Sequence, residues 1–128
     1  MNLKVELTRD VIVRPDPVAA GGTVGAWVEF AGIVRGLEDG RRITALEYEA
    51  YDSMAERLMR GILQESGRRL GCELAHVIHR VGLIPVGEMA IWIGVGAGHR
   101  QEALALVGEF MDRFKEDVPI WKRRAFPE

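Results

Sequence analysis

Gly25-Ala26-Trp27-Val28-Glu29-Phe30-Ala31-Gly32-Ile33-Val34 and, beyond the polar Gly36-to-Gly40 turn, Ile43-Thr44-Ala45-Leu46-Glu47-Tyr48 are the runs that decide the fold class. Both are rich in residues that favour extended backbone, so the pattern predicts a long strand, a turn and a returning strand paired as a hairpin. Upstream, Leu3, Val5 and Leu7 alternate with polar neighbours and predict a first strand. Arg14-Pro15-Asp16-Pro17 and Gly21-Gly22 bracket a loop or at most one short helical turn. Downstream, Asp52 or Ser53 is placed to cap a helix whose Met54, Leu58, Ile62, Leu63 and Leu70 share a broad apolar face, and Gly71 stops it. Two further strands, Leu74 to Val81 and Met89 to Val95, flank the Gly82-to-Gly87 turn. The order βββαββαβ, with hairpins in place of regular βαβ alternation, predicts one α+β domain over residues 1–128, with two main helices and a mainly antiparallel sheet.

The C-terminal stretch Lys115-Glu116-Asp117-Val118-Pro119-Ile120-Trp121-Lys122 adds chemistry to this frame. Leu104, Val107, Phe110, Met111 and Phe114 recur at helical spacing, so a second helix follows Gly98 and carries Lys115 near its end. Pro119 cannot continue that helix and drives Val118 into extended backbone. Lys122 then lies on an extended segment beyond the turn. Two ammonium groups from different elements are thereby placed to converge on one anion.

Composition narrows the function classes. Hydrophobic residues make up 48% of the chain and charged residues 28%, as in ordinary globular domains. With 17 basic against 19 acidic residues the net charge is −2, which supplies no global field for nucleic acid. No apolar run approaches the ~20 residues that cross a bilayer, and the N-terminus lacks the apolar stretch of a signal peptide, so the cytoplasm is the expected compartment. The single cysteine, Cys72, excludes an intramolecular disulfide and a Cys-rich metal cage, and reads as a small buried hydrophobe. His76 and His79 are three apart in a strand and face opposite ways, a poor metal pair; neither a metal nor a cofactor is expected.

His99 and Arg100 fall in the first turn of the second helix, after Gly96-Ala97-Gly98. Free N–H groups there favour anions, so the pair reads either as part of a phosphate seat or as solvated residues after a tight turn. Arg35, at the end of the long strand, is either a fork-shaped clamp for an anion or a solvated hairpin-end charge. Glu47 and Glu49 share one strand face and read as surface charges balanced by arginines. Trp27, Trp92 and Trp121 read as core or interface residues. Phe30 and Met111 are core residues on pattern alone.

Five strings occur in order from about Gly25 to Arg123: Phe30-Ala31-Gly32-Ile33-Val34-Arg35-Gly36, Leu46-Glu47-Tyr48-Glu49-Ala50-Tyr51, Pro85-Val86-Gly87-Glu88, Gly98-His99-Arg100 and Lys115 to Lys122. Together they resemble the large, catalytic subunit family of molybdopterin synthase. The resemblance implies an α/β-hammerhead arrangement and a homodimer within a heterotetramer, each end binding a small ubiquitin-like sulfur-carrier subunit. The carrier's C-terminal Gly-Gly thiocarboxylate would deliver sulfur to cyclic pyranopterin monophosphate, two transfers giving the dithiolene of molybdopterin. It further implies that Lys115 and Lys122 are catalytic and that Phe30, Arg35, His99, Arg100, Met111 and Arg123 bind substrate. An apolar strand such as Ala90 to Val95, with few blunting charges, fits a dimer edge.

The chain departs from the family pattern in three places. Arg124 stands where relatives usually carry Glu, the chain stops at Glu128 without a Trp-bearing tail, and the family's first helix is shortened to the Pro17-to-Gly22 region. Two other readings stand beside the enzyme: a non-catalytic homologue that keeps the dimer and carrier-docking surface, and a small dimeric ligand-binding module.

Overall fold

The computed structural model describes residues 1–17 and 22–128. Most of the Pro17-to-Gly22 region, where a shortened helix is expected, lies outside the described residues. The elements are β1 (Asn2–Thr8), β2 (Ala26–Ile33), β3 (Leu37–Glu38), β4 (Arg41–Ala50), α1 (Asp52–Leu70), β5 (Cys72–Arg80), β6 (Gly82–Pro85), β7 (Met89–Ala97), α2 (Arg100–Asp117) and β8 (Ile120–Pro127). This is the predicted order with two short strands, β3 and β6, added. It is an α+β fold in which β1–β5 is the one parallel pairing among the described strands.

The first sheet runs β1-β5-β7-β2. Its alternate residues, Val5, Val77, Ile93 and Val95 among them, face α1 and α2, which bury Met59, Leu63, Leu106 and Phe110 against them. Trp92, Ile78 and Ile12 form a smaller cluster, with Trp27 packed on it. In the second sheet β4 carries β6 and β8 along its length and pairs with β3 at its start.

Two expectations about the strands change. The long β2 does not fold back on β4; it pairs with β7, and the hairpin is a tight one joining β3 and β4. Asp39 and Gly40, with φ of 51° and 77°, form its turn, a left-handed pair that suits the twist of a two-residue hairpin. The end of β2 is held elsewhere, since Val34 N–H donates to the Glu88 carbonyl (3.0 Å) and the Val34 carbonyl accepts from Gly87 N–H (2.9 Å). The apolar run of β7 is explained by an internal place between β5 and β2, so it offers no dimer edge.

On α1, Tyr51 and not Asp52 or Ser53 occupies the N-cap, and Asp52 instead places its charge in the first turn. The buried stripe is Ala55, Met59, Ile62, Leu63 and Ser66, which leaves Met54 45% exposed. Gly71 ends the helix in left-handed backbone (φ 80°), as its position predicts. α2 ends at Asp117, and Val118 turns extended (φ −87°, ψ 126°) ahead of Pro119.

Candidate active site

Pro119 fixes the geometry of the site. Its carbonyl accepts from Tyr51 N–H (3.1 Å), which ties the chain leaving α2 to the start of α1. β8 then runs antiparallel to β4, with Lys122 opposite Tyr48. The last turn of α2, the start of β8 and the end of β2 enclose a cavity of about 320 Å³ between the two sheets. Arg35, Met111, Lys115 and Lys122 all line it. The remaining wall is largely apolar, so charges there are screened less than in bulk water.

The cations are not equivalent. Lys122 Nζ lies 2.9 Å from Glu38 Oε2 and donates to Oε1 at 3.2 Å. That hydrogen bond raises the lysine's pKa above its ordinary value, against the opposing effect of burial. Lys122 therefore stays an ammonium ion already matched by a carboxylate. Among the described residues, Arg35 and Lys115 make no ion pair. They are the free positive charges of the cavity.

Tyr48, Phe114 and His79 close the cavity, and pattern reading gave them no role. His79 is 3% exposed, stacks on Phe114 (centroids 5.5 Å apart) and meets Tyr48 edge-on (5.4 Å). Its Nδ1 lies 2.7 Å from the Arg80 carbonyl. A carbonyl only accepts, so Nδ1 carries the proton. Burial pushes the ring's pKa down to about 4, which leaves it neutral near pH 7. Burial likewise raises the pKa of the Tyr48 phenol. The sequence did hold one signal for His79: its alternation with His76 puts the two on opposite faces of β5, and His76 indeed packs on Trp92.

The other expected site residues lie apart from the cavity. Phe30 sits two residues from Gly32 on the same face of β2, 38% exposed, and does not line the wall; it is not the core residue that pattern suggests. Arg123 points to the outer sheet surface, 3.6 Å from Glu47 and 3.2 Å from Glu49. Both glutamates are balanced by arginines as expected, but only Glu49 is exposed; Glu47 is half-buried. His99 is the N-cap of α2, its side chain 80% exposed, and its N–H donates to Glu102 Oε2 (3.0 Å). The strand β7 runs through Gly96 and Ala97, so the turn before α2 is shorter than expected. A side chain at Gly25 would collide with the Gly98 carbonyl, so glycine there lets β2 pack against the entry to α2. From Arg100 to Lys115 the helix rises roughly 22 Å at 1.5 Å per residue. One chain cannot bring both to one small ligand.

Cys72 is buried and donates from Sγ to the Glu102 carbonyl (3.3 Å), and burial pushes its pKa up to about 11. It is a poor thiolate. No group of metal-binding residues occurs among the described residues, and none of their helices is long and apolar enough to cross a membrane.

Residues 7–117 match the family model described as MoaE protein. A molybdopterin synthase catalytic subunit from Thermoplasma volcanium is 42% identical over 110 residues, 86% of this chain and 75% of the relative. The rice and human catalytic subunits match at 36% and 38% identity, and the chain spans about half of their length, 54–55%. A crystal structure of molybdopterin synthase from Staphylococcus aureus superposes with a TM-score of 0.85 at 31% identity, covering 95% of this chain and 90% of that one. A complex of subunits 1 and 2 of molybdopterin-converting factor from Helicobacter pylori gives 0.67 at 25% identity, over 83% and 73%. With the model match spanning most of the chain and a relative above 40% identity, the chain belongs to the MoaE family, that of the molybdopterin synthase catalytic subunits.

Proposed function

We propose that this chain is the sulfur-transferring subunit of a molybdopterin synthase, acting on cyclic pyranopterin monophosphate with sulfur from the C-terminal Gly-Gly thiocarboxylate of a small ubiquitin-like carrier. The observation that carries this reading is the pair of unmatched cations, Arg35 and Lys115, in a cavity with a mostly apolar wall. Such groups attract an anion and stabilise oxyanion charge that develops during sulfur attack. Lys122, kept cationic by Glu38, contributes charge and not an amine nucleophile. Met111 and Phe114 supply apolar contact for a flat ring. The sulfur arrives with the partner, which is consistent with an inert Cys72. A two-subunit complex among the structural relatives supports a carrier docked on this fold.

The distance along α2 gives the homodimer a chemical purpose. His99 and Arg100 reach a cavity holding Lys115 only if they come from a second copy of the chain. The test is an assay of the purified chain with thiocarboxylated carrier and the cyclic precursor. Lys115→Ala is expected to lower turnover about 100-fold with folding intact, the loss typical of one preorganised donor. Lys115→Arg separates charge from amine geometry, since it restores the first alone. A second reading, the non-catalytic homologue, draws on the neutralised Lys122. It becomes the better one if folded Lys115→Ala transfers sulfur at a near-normal rate.

A further inference from the structure

Among the described residues that line the cavity, His79 is a buried side chain with one ring nitrogen bonded and the other without a partner. Its Nδ1–H is committed to the Arg80 carbonyl, so Nε2 carries a lone pair. Among the described residues Nε2 has no partner, and unlike Nε2 of His76 it is not sealed from solvent. The ring lines the cavity and is clamped between Tyr48 and Phe114, so the little surface it shows belongs to the cavity wall. Arg35, Lys115 and Lys122 all offer N–H donors, and the carboxylate of Glu38 is taken up by Lys122. Nε2 is thus a fixed, uncharged acceptor facing the same cavity as Arg35, Lys115 and Lys122, whose side chains only donate. Water can reach that lone pair in the free chain; a ligand that displaces the water without supplying an N–H leaves it unmatched, which is costly, and one that supplies the N–H avoids that cost.

We propose that His79 is a specificity-determining residue, accepting a hydrogen bond through Nε2 from an N–H or hydroxyl donor on the ring of a phosphate-bearing heterocycle whose anionic end is held by Arg35 and Lys115. This rests on the function proposed above, where that ring is the pterin. A ring without a donor at that position is rejected because it strands the lone pair, which is how polar sites exclude near-isosteres. The neutrality of the ring suits the role, since a charged imidazolium has no lone pair to offer.

Two substitutions separate this role from a structural one. His79→Asn places an amide N–H near the Nδ1 position and keeps the bond to Arg80, but removes the acceptor. His79→Gln places an amide oxygen near the Nε2 position and keeps the acceptor, but loses the bond to Arg80. Binding of cyclic pyranopterin monophosphate and of inorganic phosphate is measured by calorimetry on the full chain. His79→Asn is expected to bind the pterin about three- to tenfold more weakly, the equivalent of one neutral hydrogen bond, with phosphate binding unchanged. His79→Gln is expected to melt at a lower temperature and yet bind the pterin better than His79→Asn. The reverse order, with affinity following stability, overturns the proposal, as does equal loss of pterin and phosphate binding. A wild-type chain that binds phosphate but no pterin overturns the function proposed above, and this inference with it. Nitrogen-15 labelling of the three histidines reads the same contact without substitution. The His79 Nε2 resonance is expected to shift when the pterin binds, with Nδ1 nearly still, and an unmoved Nε2 resonance refutes the contact.

Discussion

Glu38→Gln tests whether the cavity is built for anions, because it removes a competing anion and adds no contact. The Glu38 carboxylate lies 2.9 Å from Lys122 Nζ. A ligand oxygen on the other side of that ammonium sits at a similar charge-assisted contact, which places the two anions about 6 Å apart. At an effective dielectric of about 20, unit charges at that distance repel by about 3 kcal/mol. The Lys122 side chain is half exposed, so solvent and salt reduce the usable part to about 1 kcal/mol, a factor of about five in affinity. The amide keeps the shape of the carboxylate and still accepts from Lys122. The lost ion pair, being partly exposed, costs at most about 1 kcal/mol of stability. Titration with cyclic pyranopterin monophosphate at low and high salt should show about fivefold tighter binding at low salt, shrinking as salt rises. Unchanged or weaker binding at low salt would mean that the ligand does not approach Lys122, and the electrostatic account of the cavity would fail.

Three further outcomes are expected. Cys72→Ala should lower stability by roughly 1 kcal/mol for the trimmed buried group and leave sulfur transfer intact, and lost activity in the folded variant would relocate the sulfur chemistry. His79 has a folded pKa of about 4, below its unfolded value near 6.5, so the unfolded chain binds the extra proton between those values. Its burial therefore destabilises the fold progressively as pH falls through that window, by up to about 3 kcal/mol at its acid end, and denaturant titrations should show that slope flatten in His79→Asn. Mixing Lys115→Ala with Arg100→Ala chains should restore about a quarter of wild-type turnover, because half of random dimers then hold one complete site of two. No recovery, with subunit exchange verified, would place Arg100 outside the site.

Features set by neighbouring residues were legible in the sequence. Pro119 forces Val118 into extended backbone and Gly71 ends α1 through a left-handed cap; neither depends on distant packing. The alternation of Leu3, Val5 and Leu7 is enough to place β1 on the helix-covered face. Strand partners were not legible. β2 and β4 have the composition of a hairpin, yet the Gly87–Glu88 backbone captures Val34 and sends β2 to a different sheet. The same limit hid half of the cavity. Tyr48, His79, Glu38 and Phe114 come from four elements, and only strand pairing and helix packing decide that they meet. Met54 was misplaced for a smaller reason: it lies one residue, about 100° around the helix, from Ala55 on the buried stripe, so the buried face excludes it.

The departure at Arg124 can be judged from the register of β8. In an unbroken strand Lys122 and Arg124 point to the same face, and an arginine in place of a carboxylate would crowd the cavity with a further cation. The pairing with β4 is irregular at this place: Lys122 opposes Tyr48, Arg124 opposes Glu47, and Arg123 is the extra residue between them. A bulge of this kind reverses the alternation beyond it. Lys122 therefore follows Tyr48 toward the cavity, and Arg124 follows Glu47 toward the outer surface, 3.5 Å from that carboxylate and stacked over the Phe126 ring at 4.8 Å. Glu47 thus receives both Arg123 and Arg124, an exchange of surface charge that leaves the main cavity lined by the same cations. The substitution that looks most disruptive in the sequence is absorbed by one irregular residue, and the chemistry of the site rests on Arg35, Lys115 and the Glu38-bound Lys122.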